Sequence, residues 1–229
     1  MHLPALTAYL QGLREHNNKA WFVMNKPAYD ILRAEFLTLV AMVIAGLGEH
    51  DERIAGVDAK KALFRIYRDI RFSNDKTPYK TRFSASIAEP GAKNSGPMYY
   101  LSIDAEGNLH LGAGCWMPAR EVLLNIRRRV IDDQPGLRKV LRSRRLTATF
   151  GGLGQEDKLA RLPKGFDPEM LDLDAVGDHL RLKSFVVTTD LDLTTMPALA
   201  ASPTLAAAIV ERLRAAVPLN DWLRAAIAG

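Results

Sequence analysis

The 229-residue chain has one cysteine, Cys115, so an intrachain disulfide and a cysteine-cluster zinc site are both excluded. No apolar run approaches the ~18 residues that a membrane-spanning helix requires. The first residues lack the basic start, the apolar core and the small-residue cleavage site of a secretory signal. From these absences we expect a cytoplasmic protein that has no membrane partner.

Several motifs of metal and hydrolytic enzymes are also absent. The five histidines show no metal-ligand spacing, and neither a His-Glu-x-x-His motif nor a Gly-x-Ser-x-Gly elbow occurs. The carboxylates that could in principle gather around magnesium are Asp69, Asp75, Asp104 and Glu106. Because Asp104 and Glu106 flank a predicted hairpin turn, where acidic residues are common in any case, we expect no metal site. No motif indicates a particular cofactor.

Positive charge is concentrated in the middle of the chain. The net charge is +5, but residues 51–100 hold ten basic and six acidic side chains, and residues 101–150 hold nine and five. Residues 151–200 reverse the balance, with five basic and nine acidic side chains. A basic middle favours an anionic partner for that region, although the same charges also serve solubility.

Apolar residues recur at helical spacing mainly toward the two ends of the chain and after the predicted hairpin. The longer helices are predicted near residues 4–16, 27–47, 118–132 and 202–217. A short helix capped by Asn18 and a basic helical piece after Gly136 are also predicted, and the chain should end in a last turn around Trp222.

Alternating apolar and polar residues predict strands between these helices. The predicted strands lie near residues 62–72, 82–88, 98–104, 108–113, 146–150 and 181–188, with a hairpin turn at Gly107 and Asn108. Consecutive strands in hairpin order favour antiparallel pairing. We therefore predict one α+β domain over residues 1–229, in which N-terminal, central and C-terminal helices flank a mainly antiparallel sheet.

Residues 64–80, FRIYRDIRFSNDKTPYK, place many charges on one of these predicted strands. Residues two apart on a strand share a face, and the following turn should carry the chain back toward the strand end. Guanidinium groups bind carboxylate or phosphate through paired hydrogen bonds, and interleaved aspartates can fix their orientation. The predicted anion-binding residues are Arg65, Arg68, Asp69, Arg71, Asp75, Lys76, Tyr79 and Lys80.

Two interpretations of this segment remain open at this point. In the first, both aspartates pair with arginines and at least one guanidinium is left for an incoming anion. In the second, every cation is neutralised internally and the segment is a salt-bridge lattice that holds a loop on the sheet.

The same segment resembles the signature of an uncharacterised bacterial family, domain of unknown function 2461. The shared pattern is Arg65-x-x-Arg68-Asp69-x-Arg71-Phe72-x-x-Asp75-Lys76-x-x-Tyr79. Similar segments occur at NNKAWFVMNKPAYD, GAGCWMP, LPKGFD and LKSFVV, so the resemblance covers nearly the whole chain. It implies a shared fold, but it implies no activity and no catalytic residue.

Two more candidate residues lie outside the central segment. The stretch GAGCWMP, residues 112–118, should form a tight strand-to-helix turn anchored by a buried Trp116, which is also a candidate for ligand contact. Cys115 in this turn has no clear histidine partner, so we expect a small buried side chain and no nucleophile. Lys183 in LKSFVV is a further candidate cation of the pocket.

The basic middle allows two classes of function. One is an enzyme or binding protein that takes a phosphorylated or other anionic small ligand. The other is a non-catalytic module for nucleic acid or another polyanion, in which a second basic stretch, residues 127–146, would follow the phosphates. The interleaved aspartates favour the small ligand, because they suit a fixed anion better than a long phosphate backbone.

Overall fold

The computed structural model describes residues 1–71, 73–92, 96–167, 169, 171–200 and 204–228. It has an α+β fold with one four-stranded antiparallel sheet, in which the strands follow one another in chain order. The strands are β1 (Arg82–Ala88), β2 (Met98–Asp104), β3 (Asn108–Cys115) and β4 (Phe185–Asp192). The predicted fold class is confirmed.

The helices form three groups along the chain. The N-terminal helices are α1 (Leu3–Glu15), α2 (Lys19–Met24), α3 (Lys26–Gly48) and α4 (Ala59–Ala62). The central helices are α5 (Arg120–Asp132), α6 (Gln134–Leu141), α7 (Arg144–Phe150) and α8 (Leu173–Leu180). The C-terminal helices are α9 (Pro197–Ala200), α10 (Thr204–Leu213) and α11 (Val217–Ala228).

The chain divides into two compact units, and the first consists of Met1–Ile87, Tyr100–Leu111 and Asp190–Glu211. Within it, α1 and α2 pack against α3. Leu6 and Leu10 of α1 are fully buried, as are Phe36 and Val40 of α3, so the apolar stripes predicted for both helices form the core of this unit. Asn18 begins α2 as predicted, because its side chain accepts a hydrogen bond from the Trp21 backbone N–H at 3.0 Å.

The second unit consists of Ala88–Tyr99, Gly112–Thr189 and Arg212–Gly229, and its centre is α5, which packs against α6, α8 and α11. Ile126 and Val130 of α5 are fully buried. The Trp222 indole donates a hydrogen bond of 3.0 Å to Asp133, the residue that also caps α6. The predicted last turn around Trp222 is therefore part of a full helix, α11. The prediction of a single domain over the whole chain stays a prediction.

The strand predicted over residues 62–72 is wrong, and its last residue, Phe72, lies outside the described residues. The described residues of this stretch make only isolated bridges, from Leu63 to Ala85 and from Tyr67 to Tyr79. On one segment the bridged residues Leu63 and Tyr67 are four residues apart, whereas their partners Tyr79 and Ala85 are six residues apart. A continuous antiparallel ladder needs equal spacing on both segments, so it cannot stay in register here. In addition, Pro78 has no N–H to donate.

The strand predicted over residues 146–150 is also wrong, because this stretch belongs to helix α7. Ser143 caps the helix by accepting a hydrogen bond from the Leu146 backbone N–H at 3.3 Å. The Thr149 hydroxyl donates back to the Arg145 carbonyl at 2.9 Å. Gly151 ends the helix with φ +76°, a conformation that favours glycine.

Three further boundaries differ from the prediction. Arg181 is the C-cap of α8, so the strand predicted over residues 181–188 starts only at Phe185 and continues to Asp192. Helix α5 begins at Arg120, two residues after Pro118. The helix predicted over residues 202–217 is α10, which ends at Leu213, and its predicted start at Ser202 and Pro203 lies outside the described residues.

Helix α3 corrects the expectation that no segment is long and apolar enough to cross a membrane. Its 23 residues, Lys26–Gly48, meet that test by length and composition alone. The same helix carries buried residues from Tyr29 to Leu47 within the first unit. A core helix with a broad apolar stripe passes the same test, so this property is weak evidence for membrane insertion.

Gly114 in β3 provides a test of the packing within the second unit. It has φ +120°, and a Cβ atom placed there would lie 2.0 Å from the Phe185 carbonyl oxygen of β4. We expect Gly114→Ala to lower the free energy of unfolding by about 3 kcal/mol or more, measured by urea denaturation.

Gly151→Ala is the matched control for this substitution. Gly151 also has positive φ, +76°, but a Cβ atom placed there would meet no other atom within 4 Å. Backbone strain alone should then cost about 1 kcal/mol. Equal losses in the two variants would contradict the close β3–β4 packing at Gly114.

Candidate functional site

Residues 63–81 fold back on themselves in the first unit. The Arg68 backbone N–H donates to the Pro78 carbonyl at 2.9 Å, and the Lys80 N–H donates to the Ile66 carbonyl at 2.8 Å. The chain therefore reverses between residues 68 and 78, as predicted. The reversal brings the two charged ends of the segment side by side.

Tyr79 anchors the reversed chain. The Asn17 side chain forms two hydrogen bonds of 3.0 Å with the backbone of Tyr79, one to its carbonyl and one from its N–H. The Tyr79 ring is buried and stacks on Phe22 with centroids 4.2 Å apart. Burial raises the pKa of its hydroxyl. Tyr79, a predicted ligand-binding residue, thus holds the loop and does not present its ring to solvent.

Two arginines of the segment pair with its two aspartates. Arg71 donates to both carboxylate oxygens of Asp69, from Nε at 2.9 Å and from Nη2 at 2.6 Å. Arg68 forms an ion pair with Asp75 and also donates to the Thr77 hydroxyl. The predicted pairing of both aspartates with arginines is confirmed. The Lys76 ammonium donates to the Ile70 carbonyl at 3.0 Å, inside the same loop.

These contacts hold both carboxyl groups in the ionised form. Hydrogen bonds from Arg71 lower the pKa of Asp69 to about 2. The pKa of Asp75 is also lowered to about 2, first by the Thr77 backbone N–H and then by Arg68. Opposite charges and donors that favour the ionised form account for both shifts.

Three other cations carry no such counterion, and we call Arg65, Lys80 and Arg82 the cation cluster. None of their side chains forms an ion pair or hydrogen bond with another described residue. Burial lowers the pKa of Lys80, and the positive charges of Arg82 and Arg65 lower it further. The charges of both arginines therefore act on Lys80, in an arrangement that disfavours the protonated lysine.

The β-bridges explain why these charges meet. Arg65 stands midway between the bridged residues Leu63 and Tyr67, and Arg82 stands midway between Tyr79 and Ala85. The two arginines therefore lie on the two facing segments of the reversed chain, and the charge of each acts on Lys80. Arg82 was missed by sequence reasoning. The available signal was that Arg82 lies two residues after Lys80, at the spacing that places strand residues on one face.

A row of rings continues from the cation cluster along the sheet face that carries Tyr100 and His110. We call Phe64, Tyr100 and His110 the ring row. The Lys80 ammonium lies 5.0 Å from the centroid of Phe64. Ring centroids are 6.3 Å apart between Phe64 and Tyr100, and 5.9 Å apart between Tyr100 and His110. At the end of the row, His110 Nδ1 lies 2.7 Å from Asp190 Oδ1.

Sequence reasoning missed Tyr100, His110 and Asp190 as site residues. His110 and Asp190 are eighty residues apart and meet only because β4 pairs with β3. No local motif marks them. Their position follows from strand pairing, which the sequence pattern does not specify between distant strands.

Trp116 and Lys183 lie in the second unit, whereas the other predicted site residues lie in the first. The prediction of a buried Trp116 is wrong, since its side chain is 66% exposed. The neighbouring Cys115 points into the core, so alternation turns Trp116 outward. The Met117 N–H donates to the Ser184 hydroxyl at 3.0 Å, which holds the exposed turn beside Lys183.

The second unit also has a surface groove of about 590 Å³, lined by residues 160–166 together with Leu173, Gly177 and Arg181. None of the predicted site residues lines it. The four carboxylates named as possible magnesium ligands have protein partners instead. Asp104 accepts from the backbone of its own turn, and Glu106 pairs with Arg14. In the described part of the chain, no group of three or more His, Cys, Asp or Glu side chains could hold a metal ion.

Comparison with known proteins identified one family. A family model described as "Conserved hypothetical protein (DUF2461)" matches residues 5–222. No curated protein and no solved structure matches the chain.

The lowered pKa values of Asp69 and Asp75 predict a loss of stability in acid. Each folded value is about 2, below the ordinary 3.8, so the stabilising contribution is present above pH 3.8 and is lost as the pH falls through about 2. Carbon-13 titration of the side chains should give both low values. The double variant Asp69→Asn, Asp75→Asn should lose less stability than the wild type between these pH values, and an identical loss would contradict the pairing.

Cys115 should be unreactive in the folded protein. Burial raises the pKa of its thiol to about 12, and the charge of Arg224 lowers it only in part. Since the thiolate is the reactive form, we expect an aromatic disulfide reagent at pH 8 to label the native protein far more slowly than the urea-unfolded chain. Labelling of the native protein at the rate of a free cysteine would show that the site is open.

Proposed function

The chain belongs to the DUF2461 family of conserved hypothetical proteins, and from the geometry of its own residues we propose that it binds a small phosphate-bearing ligand at the cation cluster. The observation that carries the proposal is the group of three cations that form no ion pair or hydrogen bond with another described residue. Arg65, Lys80 and Arg82 are held together although their charges repel. A bound anion would relieve this repulsion.

The paired residues around the cluster support the proposal by fixing the loop. The Arg68–Asp75 and Arg71–Asp69 pairs lie within the reversed segment, and Asn17 hydrogen-bonds the backbone of its returning part at Tyr79. Two of the three cations, Arg65 and Lys80, therefore lie on a loop that these contacts hold in place. A preorganised loop binds a ligand with a smaller entropy loss than a mobile one.

Phosphate suits these side chains for a chemical reason. Two guanidinium groups offer planar pairs of N–H donors, which match two phosphate oxygens, and the lysine adds a point charge. Asp75 and Asp69 already pair with Arg68 and Arg71, so these carboxylates compete less with a ligand for the cations of the cluster. A protein that binds such a ligand can also catalyse a reaction on it.

The alternative function is binding of nucleic acid or another polyanion by the second basic stretch. Arg138 and Lys139 of α6 are exposed, as are Arg144 and Arg145 of α7. Some arginines of this stretch already have protein partners, however. Arg127 is buried and donates to the Leu182 carbonyl at 2.9 Å, and Arg129 pairs with Asp133. These contacts favour the cation cluster as the anion site.

Calorimetric titration with inorganic pyrophosphate tests the proposal. Arg65→Ala should weaken binding about tenfold or more, because it removes a charged hydrogen-bond donor. Lys80→Met should weaken binding similarly. Affinity should also fall as the pH rises through the lowered pKa of Lys80, since the neutral amine no longer attracts the anion.

Lys139→Ala is the charge-matched control and should leave the affinity unchanged. Equal weakening by Arg65→Ala and Lys139→Ala would favour the polyanion module instead. Lys80→Met should also leave the melting temperature unchanged or higher, because it removes repulsion. A marked fall in melting temperature, with no pyrophosphate binding by the wild type, would identify the cluster as part of the scaffold.

A further inference from the structure

The ring row offers flat surfaces next to the proposed phosphate site. Phe64 is 47% exposed and lies between the Lys80 ammonium and the Tyr100 ring. Tyr100 is half-buried and meets His110 edge-on. Aromatic side chains that are open to solvent beside cations are the usual platform on which nucleic-acid bases stack.

His110 places an imidazole nitrogen in a fixed orientation at the far end of the ring row. Its Nδ1 is held by Asp190 at 2.7 Å, and its side chain is 38% exposed. Among the described residues nothing else hydrogen-bonds the imidazole. With Nδ1–H donated to the carboxylate, Nε2 of a neutral imidazole is left as an acceptor in a fixed direction.

The spacing between these parts limits the kind of ligand. Neighbouring strands lie about 4.8 Å apart, so His110 on β3 is about 10 Å to the side of β1, where Arg82 begins. This separation is comparable with the distance from the phosphate to the outer edge of the base in a nucleotide. A bare phosphate would occupy only the cation cluster and leave the rings uncovered.

We propose that the ligand is a nucleoside phosphate, with its phosphate on the cation cluster, its base against the ring row and the outer edge of the base hydrogen-bonded to His110. This inference rests on the proposed function and narrows it. Lys80 belongs to both parts of the site, because it is close to Phe64 and electrostatically coupled to Arg65 and Arg82. Asp190 is a positioning residue, since it acts on the ligand only through His110.

The test compares the binding of adenosine 5′-monophosphate and of ribose 5-phosphate, which lacks the base. The nucleotide should bind the wild type about tenfold more tightly, as expected for one stacked base. Phe64→Leu keeps an apolar side chain but removes the ring, so it should abolish this advantage and leave ribose 5-phosphate binding unchanged. Arg65→Ala should weaken both ligands.

Tyr67→Leu is the matched aromatic control. Tyr67 is 51% exposed and lies in the same segment, but its ring contacts Phe22 and Tyr79 and is not part of the row. It should leave the nucleotide preference unchanged. His110→Ala should weaken the nucleotide and not ribose 5-phosphate, and equal effects on the two ligands would overturn the assignment of His110.

The two proposals fail in different ways. If pyrophosphate and both sugar phosphates bind with no advantage for the nucleotide, the base platform is wrong and the anion site stands. If none of these phosphates binds, both proposals are overturned. If affinity for single-stranded DNA rises steeply with length while the mononucleotide binds no better than ribose 5-phosphate, the site belongs to a nucleic-acid-binding protein.

Discussion

The offset between two β-bridges controls the arrangement of the candidate site. The bridges from Leu63 to Ala85 and from Tyr67 to Tyr79 enclose unequal lengths of chain, so the segment cannot form a regular strand beside β1. The longer side carries both Lys80 and Arg82, and Arg65 lies on the shorter side. The irregularity that breaks the ladder is thus the same feature that concentrates positive charge at one place.

The two interpretations of the charged segment apply to different residues. Arg68 and Arg71 are neutralised by aspartates, and Lys76 is occupied by a backbone carbonyl, so these side chains stabilise the loop. The side chains of Arg65, Lys80 and Arg82 form no ion pair or hydrogen bond in the described part of the chain. A structure that holds like charges together without compensation is unfavourable by itself, and such arrangements are more common at binding sites than elsewhere.

The ring row depends on the sheet in a different way. Phe64 belongs to the irregular loop, but Tyr100 and His110 come from two regular strands that form a hairpin. The hairpin fixes the positions of two rings, and β4 adds the carboxylate that orients His110. A rigid sheet and a braced loop therefore contribute adjacent halves of one surface in the first unit. Sites built on regular elements hold their geometry more closely than sites built on loops alone.

The sequence alone determined the features that depend on short stretches of chain. The α+β class, the stripes of α1 and α3, the Asn18 cap and the hairpin of β2 and β3 all follow from local periodicity and turn residues, because these patterns need no knowledge of distant partners. The same reasoning placed the aspartate–arginine pairs, which lie within ten residues of each other. It misread residues 146–150, where the Ser143 cap outweighed the β-branched composition.

Only the tertiary structure decided which charges remain unpaired and which side chains meet. Apolar and polar residues alternate along residues 64–71 as they do in a strand. The two β-bridges of this segment do not share one register, however, so no continuous ladder forms. Arg82 became part of the cluster through that pairing, and Asp190 reached His110 through the contact of β3 with β4. These results depend on hydrogen bonds between segments far apart in the chain, and side-chain periodicity within one segment carries no information about the register of such bonds.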